Sequence, residues 1–235
     1  MSAESSPLSA AAVDPEERRL EAALRPRHLD EFVGQMRVRE QLDLMLASAR
    51  LRDRAADHVL LSGPPGLGKT TLAMIVAAEM NAPLRLSSGP AIQHAGDLAA
   101  ILSSLTEGEV LFLDEIHRFN RAQQDGFLPY VEDGTVTLVG ATTENPSFEL
   151  NAALLSRAQV LILHRLDRTA LEALLERAEA LLERPLPLPP AARDALLAAH
   201  PWSFATGQMV LPRLLDVPVA DMAYAFQLPP RCLRV

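Results

Sequence analysis

Five short apolar runs, separated by stretches of helical periodicity, limit what this chain can fold into more than anything else in it. The runs are "HVLLS" (58–62), "PLRLSS" (83–88), "EVLFLD" (109–114), "TVTLVGAT" (135–142) and "QVLILHR" (159–165). Between them, "TTLAMIVAAEMN", "AGDLAAILSSL", "RAQQDGFLPYVED" and "NAALLSR" place apolar residues at helical spacing. Strands that are apolar throughout bury both faces, and strands alternating with helices form a parallel sheet covered on both sides. The expected fold class is α/β, a five-stranded parallel sheet flanked by helices.

The flanking segments read differently. In "MRVREQLDLMLASAR" (36–50), Val38, Leu42, Leu46 and Ala49 fall on one helical face. After residue 165, "DRTALEALLERAEALLER" puts Leu171, Leu174, Leu175, Ala178, Leu181 and Leu182 on one face, and Thr169 with Glu172 has the spacing of a capping box. "PLPLPP" then approaches a second short helix, "AARDALLAAH", and beyond Pro201 periodicity fades. This divides the chain into a disordered leader (1–17), a nucleotide-binding core (18–165), a partial helical lid (166–200) and a divergent tail (201–235). The first residues lack the basic and apolar regions of a signal peptide.

Composition narrows the partners. Twenty-two basic residues against thirty acidic give a net charge of −8, so the chain as a whole offers no electrostatic footprint for nucleic acid. DNA contact would have to come from a local patch or an assembled ring. One cysteine, Cys232, excludes an internal disulfide and fits a reducing compartment. No apolar run approaches a transmembrane length, and a cytoplasmic protein is expected. The six histidines show no metal-binding spacing.

"LLSGPPGLGKTTL" (60–72) matches G-x-x-x-x-G-K-[ST] through Gly63, Gly68, Lys69 and Thr70, and it follows a strand and opens a helix. Glycines there let backbone N–H groups curl around phosphates, and the helix N-terminus adds its positive end. Lys69 is expected to reach the β- and γ-phosphates of ATP, and the Thr70 hydroxyl to hold Mg²⁺. Asp114 ends the run "VLFL" at the carboxyl edge of the sheet, where open α/β sheets bind ligands, and is a second candidate for the metal. Glu115 follows as the candidate general base for the attacking water. A surface pair capping a helix is the plainer alternative for Asp114 and Glu115. Thr142 and Thr143, after "TLVGA", are candidates to bond the water or the γ-phosphate, or else strand-end hydroxyls satisfied by backbone. Arg157 in "LLSRAQV" is a candidate arginine finger for a neighbouring subunit, with an intramolecular salt bridge as the alternative.

Together, "GPPGLGKTT", "VLFLDE", "LVGATT" and "LLSR" resemble the AAA+ ATPase superfamily over roughly residues 20–185. Residues 20–118, including "LRPRHLDEFVGQ" and "LFLDEIHR", are similar to the RuvB branch of Holliday-junction motors. Residues 119–199, beginning "FNRAQQDGFLPYVEDGTVTLVGATTENPSFELN", are instead similar to the RarA (MgsA) branch of replication-associated recombination ATPases. The resemblance implies a P-loop NTPase core with strand order 5-1-4-3-2, a helical lid, ATP and Mg²⁺ as ligands, a homo-oligomeric ring and branched or forked DNA as partner. It implies nucleotide contacts at Leu24, Arg25, Gly66, Lys69, Thr70, Thr71, Glu132 and Asp133, with Mg²⁺ on Thr70 and Arg157 at the finger position. Two departures stand out. The connection after His117 is too short for the β-hairpin with which RuvB docks RuvA, and neither "GDAR" nor "GTPR", the lid arginine motifs, occurs. A lid-deficient nucleotide-binding module is therefore the alternative to an active ATPase.

His117 and Arg118 have two readings, relay of nucleotide state to a neighbour or a plain helix start. Trp202, Tyr224 and Phe226 are expected to pack rather than to stack on bases.

Overall fold

The computed structural model describes residues 25–52, 54–89, 92, 95–186 and 188–198. The expected leader (1–17), the tail (201–235) and Leu24 lie outside the described residues.

The three inner apolar runs become strands because their alternate side chains find different helical layers, whereas the two edge runs are only partly covered and leave Leu86, Val160 and Ile162 exposed. The strands are β1 (His58–Ser62), β2 (Leu84–Ser88), β3 (Glu109–Asp114), β4 (Val136–Thr142) and β5 (Ala158–Ile162), all parallel, in the order β2-β3-β4-β1-β5. That is the expected 5-1-4-3-2 order, counted from the other edge. Val59 and Leu61 of β1, Val110 and Phe112 of β3, and Val139 and Ala141 of β4 face one core with α1 (Met36–Arg52) and α2 (Lys69–Glu79). Leu60, Leu111, Leu113 and Leu138 face the other. There they meet α3 (Ala95–Ser103), α4 (Arg121–Glu132) and α6 (Ala152–Arg157). The period-2 alternation of side chains across a strand makes both cores out of one run. Val38, Leu42, Leu46 and Ala49 of α1 are all buried, as its spacing predicts. A single turn, α5 (Pro146–Glu149), precedes α6.

The last strand is shorter than its apolar run. Leu163 N–H still donates to Ser62 O at 2.7 Å. The next peptide is taken by a side chain: Gln35 Oε1 accepts from His164 N–H at 3.0 Å, and Gln35 Nε2 donates to His164 O. A glutamine amide thus replaces a strand partner, and the edge strand ends at Ile162.

Two helices follow, α7 (Arg168–Leu182) and α8 (Pro190–Ala198). Their N-terminal chemistry corrects the expected capping box. Asp167, not Thr169, caps α7, accepting from Ala170 N–H at 2.8 Å, while Glu172 pairs with Arg168 at 3.1 Å. Asp167 sits three residues before Ala170, so it reaches the N3 amide that an N-cap serves. Leu171, Leu174, Leu175 and Ala178 are buried, but Leu181 is exposed at the far end of the stripe. Arg193–Glu179 (2.7 Å) and Arg168–Asp194 (2.9 Å) tie α8 to α7. Arg177 ties α7 to the segment before α1, donating to Glu31 O at 2.6 Å. Among the described residues, no helix is long and apolar enough to cross a membrane.

Candidate nucleotide site at the carboxyl edge

The loop between β1 and α2 is shaped by positions that exclude a side chain. A Cβ on Gly63 (φ 151°) would lie 2.6 Å from the backbone oxygen of Leu163, which crosses just above it. Gly68 (φ 84°) caps α2 in the left-handed conformation, with no side-chain hydrogen bond to the first-turn amides; Gly66 is also left-handed. The α2 amides therefore keep their positive end free of any side-chain cap, the arrangement that binds phosphate. Lys69 is buried, and its Nζ donates to Gly63 O and Pro64 O at 2.8 Å each. Burial depresses its pKa, while the charges of Asp114 and Glu115 push the other way. The loop is folded around its own ammonium. Thr71, the next helical residue but one, is buried.

Sheet register brings the metal candidates together. Asp114, the last residue of β3, lies opposite Ser88 of β2, and Asp114, Ser88, Ser87 and Thr70 line one cavity of about 350 Å³. Three hydroxyl-bearing positions and a carboxylate suit a hard cation such as Mg²⁺. Ser88 escaped the sequence reading, because only the β2–β3 register sets it against Asp114.

Glu115 is left-handed (φ 50°), a conformation rare outside glycine, and its N–H donates to Asp114 Oδ1 at 3.0 Å. Its Oε2 is 2.5 Å from Arg118 Nε across the 3₁₀ turn Ile116–Arg118. The i,i+3 spacing of Glu115 and Arg118 was legible, but not the turn that closes it. Thr142 is buried at the end of β4: its Oγ1 accepts from Glu144 N–H at 3.0 Å and lies 3.1 Å from His117 Nδ1. The strand-end reading holds for Thr142, whereas Thr143 is exposed. Arg25 reaches Met74 Sδ at 3.2 Å, one helical turn past Thr70 and on the same face of α2.

Gly140 supports this turn from beneath. A Cβ there would lie 2.6 Å from Leu60 Cδ2 and 3.0 Å from Ile116 Cδ1, next to Glu115. Gly140→Val is expected to cost about 1–3 kcal/mol by overpacking, read as a lower urea midpoint at an unchanged m-value.

The other candidates lie at the opposite edge. Arg157 ends α6, and its Nη2 is 2.6 Å from Glu132 Oε1 at the end of α4; its Nη1 donates to Ala153 O at 2.9 Å. The intramolecular salt bridge is therefore present. Asp133 accepts from Thr135 N–H at 2.8 Å, and hydrogen bonds from Thr135 hold its carboxyl below the usual range. Arg157, Glu132 and Asp133 line a cavity of about 1060 Å³ with Arg54, Asp57 and His58. His58 pairs with Ala158 and Ser62 with Ile162. Strands rise about 3.3 Å per residue, which puts Arg157 on the order of 15 Å from the phosphate loop of its own chain.

His58 joins the elements of this edge. Its Nδ1 accepts from Leu138 N–H at 3.0 Å, which makes Nε2 the protonated nitrogen, donating to Val131 O at 2.9 Å. Burial lowers its pKa, against smaller opposing effects of the Val131 carbonyl and Asp57. Above about pH 6.5 both folded and unfolded chains hold it neutral. Below that, the unfolded chain takes the proton first, so stability falls with acid. Urea unfolding at pH 7.5 and 5.5 is expected to show this loss in the native chain and a shallower one in His58→Gln.

A family model described as the Holliday junction DNA helicase RuvB P-loop domain matches residues 24–153. That match runs past residue 119, where the similarity to RarA begins. The Holliday junction branch migration complex subunit RuvB of Pseudarthrobacter chlorophenolicus is 66% identical over 154 residues, 62% of this chain and 43% of that protein. The corresponding subunit of Streptomyces coelicolor is 61% identical over the same length, with the same coverage. The chain thus spans less than half the length of these curated relatives. Among solved structures, the Thermotoga maritima RuvB Holliday junction branch migration motor aligns with a TM-score of 0.71 at 38% identity, covering 89% of this chain and 70% of that one. The site geometry and the match over more than half of the sequence agree: the chain belongs to the RuvB P-loop domain family.

Proposed function

We propose that the chain is an ATPase of a ring that moves DNA junctions. Each copy binds ATP at its phosphate loop, and a second copy completes the site with Arg157. One observation carries the reading. Lys69, Thr70, Asp114 and Glu115 gather at the carboxyl edge of the sheet, while Arg157 and Glu132 pair at the amino edge. An arginine there reaches a nucleotide only across an interface between copies.

In this reading Lys69 exchanges the carbonyls of Gly63 and Pro64 for phosphate oxygens, and the α2 amides take the remaining charge. Thr70 and Asp114 hold Mg²⁺, which neutralises charge on the phosphates. Glu115 accepts a proton from water as the water oxygen attacks the γ-phosphorus and the bond to the bridging oxygen of ADP breaks. Before that, its carboxylate has to leave Arg118. Thr143, exposed beside the committed Thr142, takes the water or γ-phosphate. Leu24 and Arg25 contact the nucleotide, and Glu132 and Asp133 meet the neighbour's nucleotide alongside Arg157. The division into core (18–165) and partial lid (166–200) and a cytoplasmic location belong to the same proposal. Branched DNA is the substrate by analogy with the relatives named for Holliday junction branch migration.

Glu115→Gln tests the chemistry. It is expected to bind ATP normally and to lose about 10²–10⁴-fold in turnover; normal turnover would remove Glu115 as the base. A RarA-like role is the second reading, favoured by one observation. From Glu115 to Thr135 the connection is described throughout and contains the 3₁₀ turn and α4 but no strand, so it has no hairpin on which RuvA could dock. Stimulation of turnover by four-way junctions over forks supports the first reading, and the reverse order the second.

A further inference from the structure

We propose that His58 is a positioning residue that sets the Arg157–Glu132 pair for its work on the neighbouring copy's nucleotide. The inference rests on the reading of Arg157 as acting between copies. The two halves of the pair come from different elements, the end of α4 and the end of α6, and neither element is bonded to the other through these two side chains alone. His58 is a point where both are referenced to the sheet by hydrogen bonding or strand register. Its ring donates to the carbonyl of Val131, the residue before Glu132. Its backbone stands in register with Ala158, the residue after Arg157. The same ring accepts the Leu138 amide, which anchors it to the central strand β4. The imidazole therefore fixes the height of Glu132 through a hydrogen bond, and the backbone of the same residue fixes that of Arg157 through strand pairing.

The chemistry explains why the position holds a histidine. It has to accept from one backbone group and donate to another from opposite sides of a flat ring, which the neutral imidazole does with a single tautomer. Protonation puts a hydrogen on Nδ1 and sets it against the Leu138 N–H. The charged groups around it are Arg54 and Asp57 ahead of β1, Glu107 ahead of β3, Glu132 and Asp133 after α4, and Arg157. Of these, Asp57 is the charge that acts on the ring, favouring its protonated form against burial.

Two substitutions separate positioning from folding. His58→Asn keeps an acceptor for Leu138 N–H but does not reach Val131, whereas the amide nitrogen of His58→Gln still can. His58→Asn is expected to bind ATP as tightly as the native chain and to lose up to about 100-fold in kcat at unchanged KM, with His58→Gln restoring most of it. Mixing His58→Asn copies with Lys69→Ala copies is expected to recover turnover, since each supplies what the other lacks. In the isolated chain, the Arg157 Nε–H resonance is expected to move in His58→Asn and stay in place in His58→Gln. Native kcat in His58→Asn, or a loss that mixing does not repair, overturns the proposal. So does an unmoved Arg157 resonance. Arg157→Ala is measured alongside: if it too leaves turnover intact, the failure lies with the intersubunit reading itself, and if it abolishes turnover while His58→Asn does not, only the positioning claim falls.

Discussion

Arg157→Ala is expected to lower ATP turnover by about 10³–10⁵-fold while leaving nucleotide affinity unchanged. The size follows from where charge develops. A guanidinium delivered to the transferring phosphoryl group meets negative charge that builds only in the transition state, so its removal is felt in kcat. The constancy of affinity follows from the fold, because Arg157 lies at the amino edge of β5 and the phosphate loop of its own chain at the other. Its present partner is no obstacle. The side chains of Arg157 and Glu132 are 39% and 49% exposed, and an ion pair that open is worth about 0–1 kcal/mol. It can be given up on assembly, and its loss in the variant should leave the melting temperature nearly unchanged. Native turnover per copy should rise with protein concentration, and copies carrying Arg157→Ala should be rescued by Lys69→Ala copies. Turnover of Arg157→Ala equal to the native chain at every concentration would assign Arg157 to the salt bridge alone.

Lys69→Ala is expected to weaken ATP binding by about 10²–10⁴-fold. Two charge-assisted hydrogen bonds to phosphate at about 1.5–3 kcal/mol each give that range when about 1.4 kcal/mol is a factor of ten. Loss of folding would be a trivial explanation, and the structure argues against it. Lys69 is buried with a depressed pKa, so the fold holds its charge at a cost from desolvation. Removing a desolvated ammonium relieves that cost, and the two hydrogen bonds to Gly63 O and Pro64 O lost with it act the other way, so the melting temperature should change little. Calorimetric titration with ATP beside thermal melting separates the two. Tight ATP binding by Lys69→Ala would sink the phosphate-loop assignment.

Much of this was legible because the constraints are local. The inner strands could be read from runs that leave no exposed polar face, and the loop from glycines whose backbone angles only glycine adopts cheaply. Asp114 and Glu115 could be placed because the last residues of an apolar run in a parallel sheet lie at its carboxyl edge. The misreadings were local too, and each was decided by a competitor next to the expected partner. Asp167 outcompeted Thr169 for the α7 cap, and the Gln35 amide outcompeted a strand for His164.

What the sequence by itself determined is the α/β class and the phosphate loop, together with the candidates proposed for the chemistry, because those follow from periodicity and from backbone rules spanning a few residues. Only the tertiary structure decided which of them meet. Ser88 stands by Asp114 because β2 pairs with β3; Arg118 reaches Glu115 because a 3₁₀ turn folds it back. Arg157 pairs with Glu132, away from Lys69, because β1 and β5 run parallel and carry their beginnings to one edge and their ends to the other. Such meetings depend on register between segments far apart in the chain, and no local spacing encodes it.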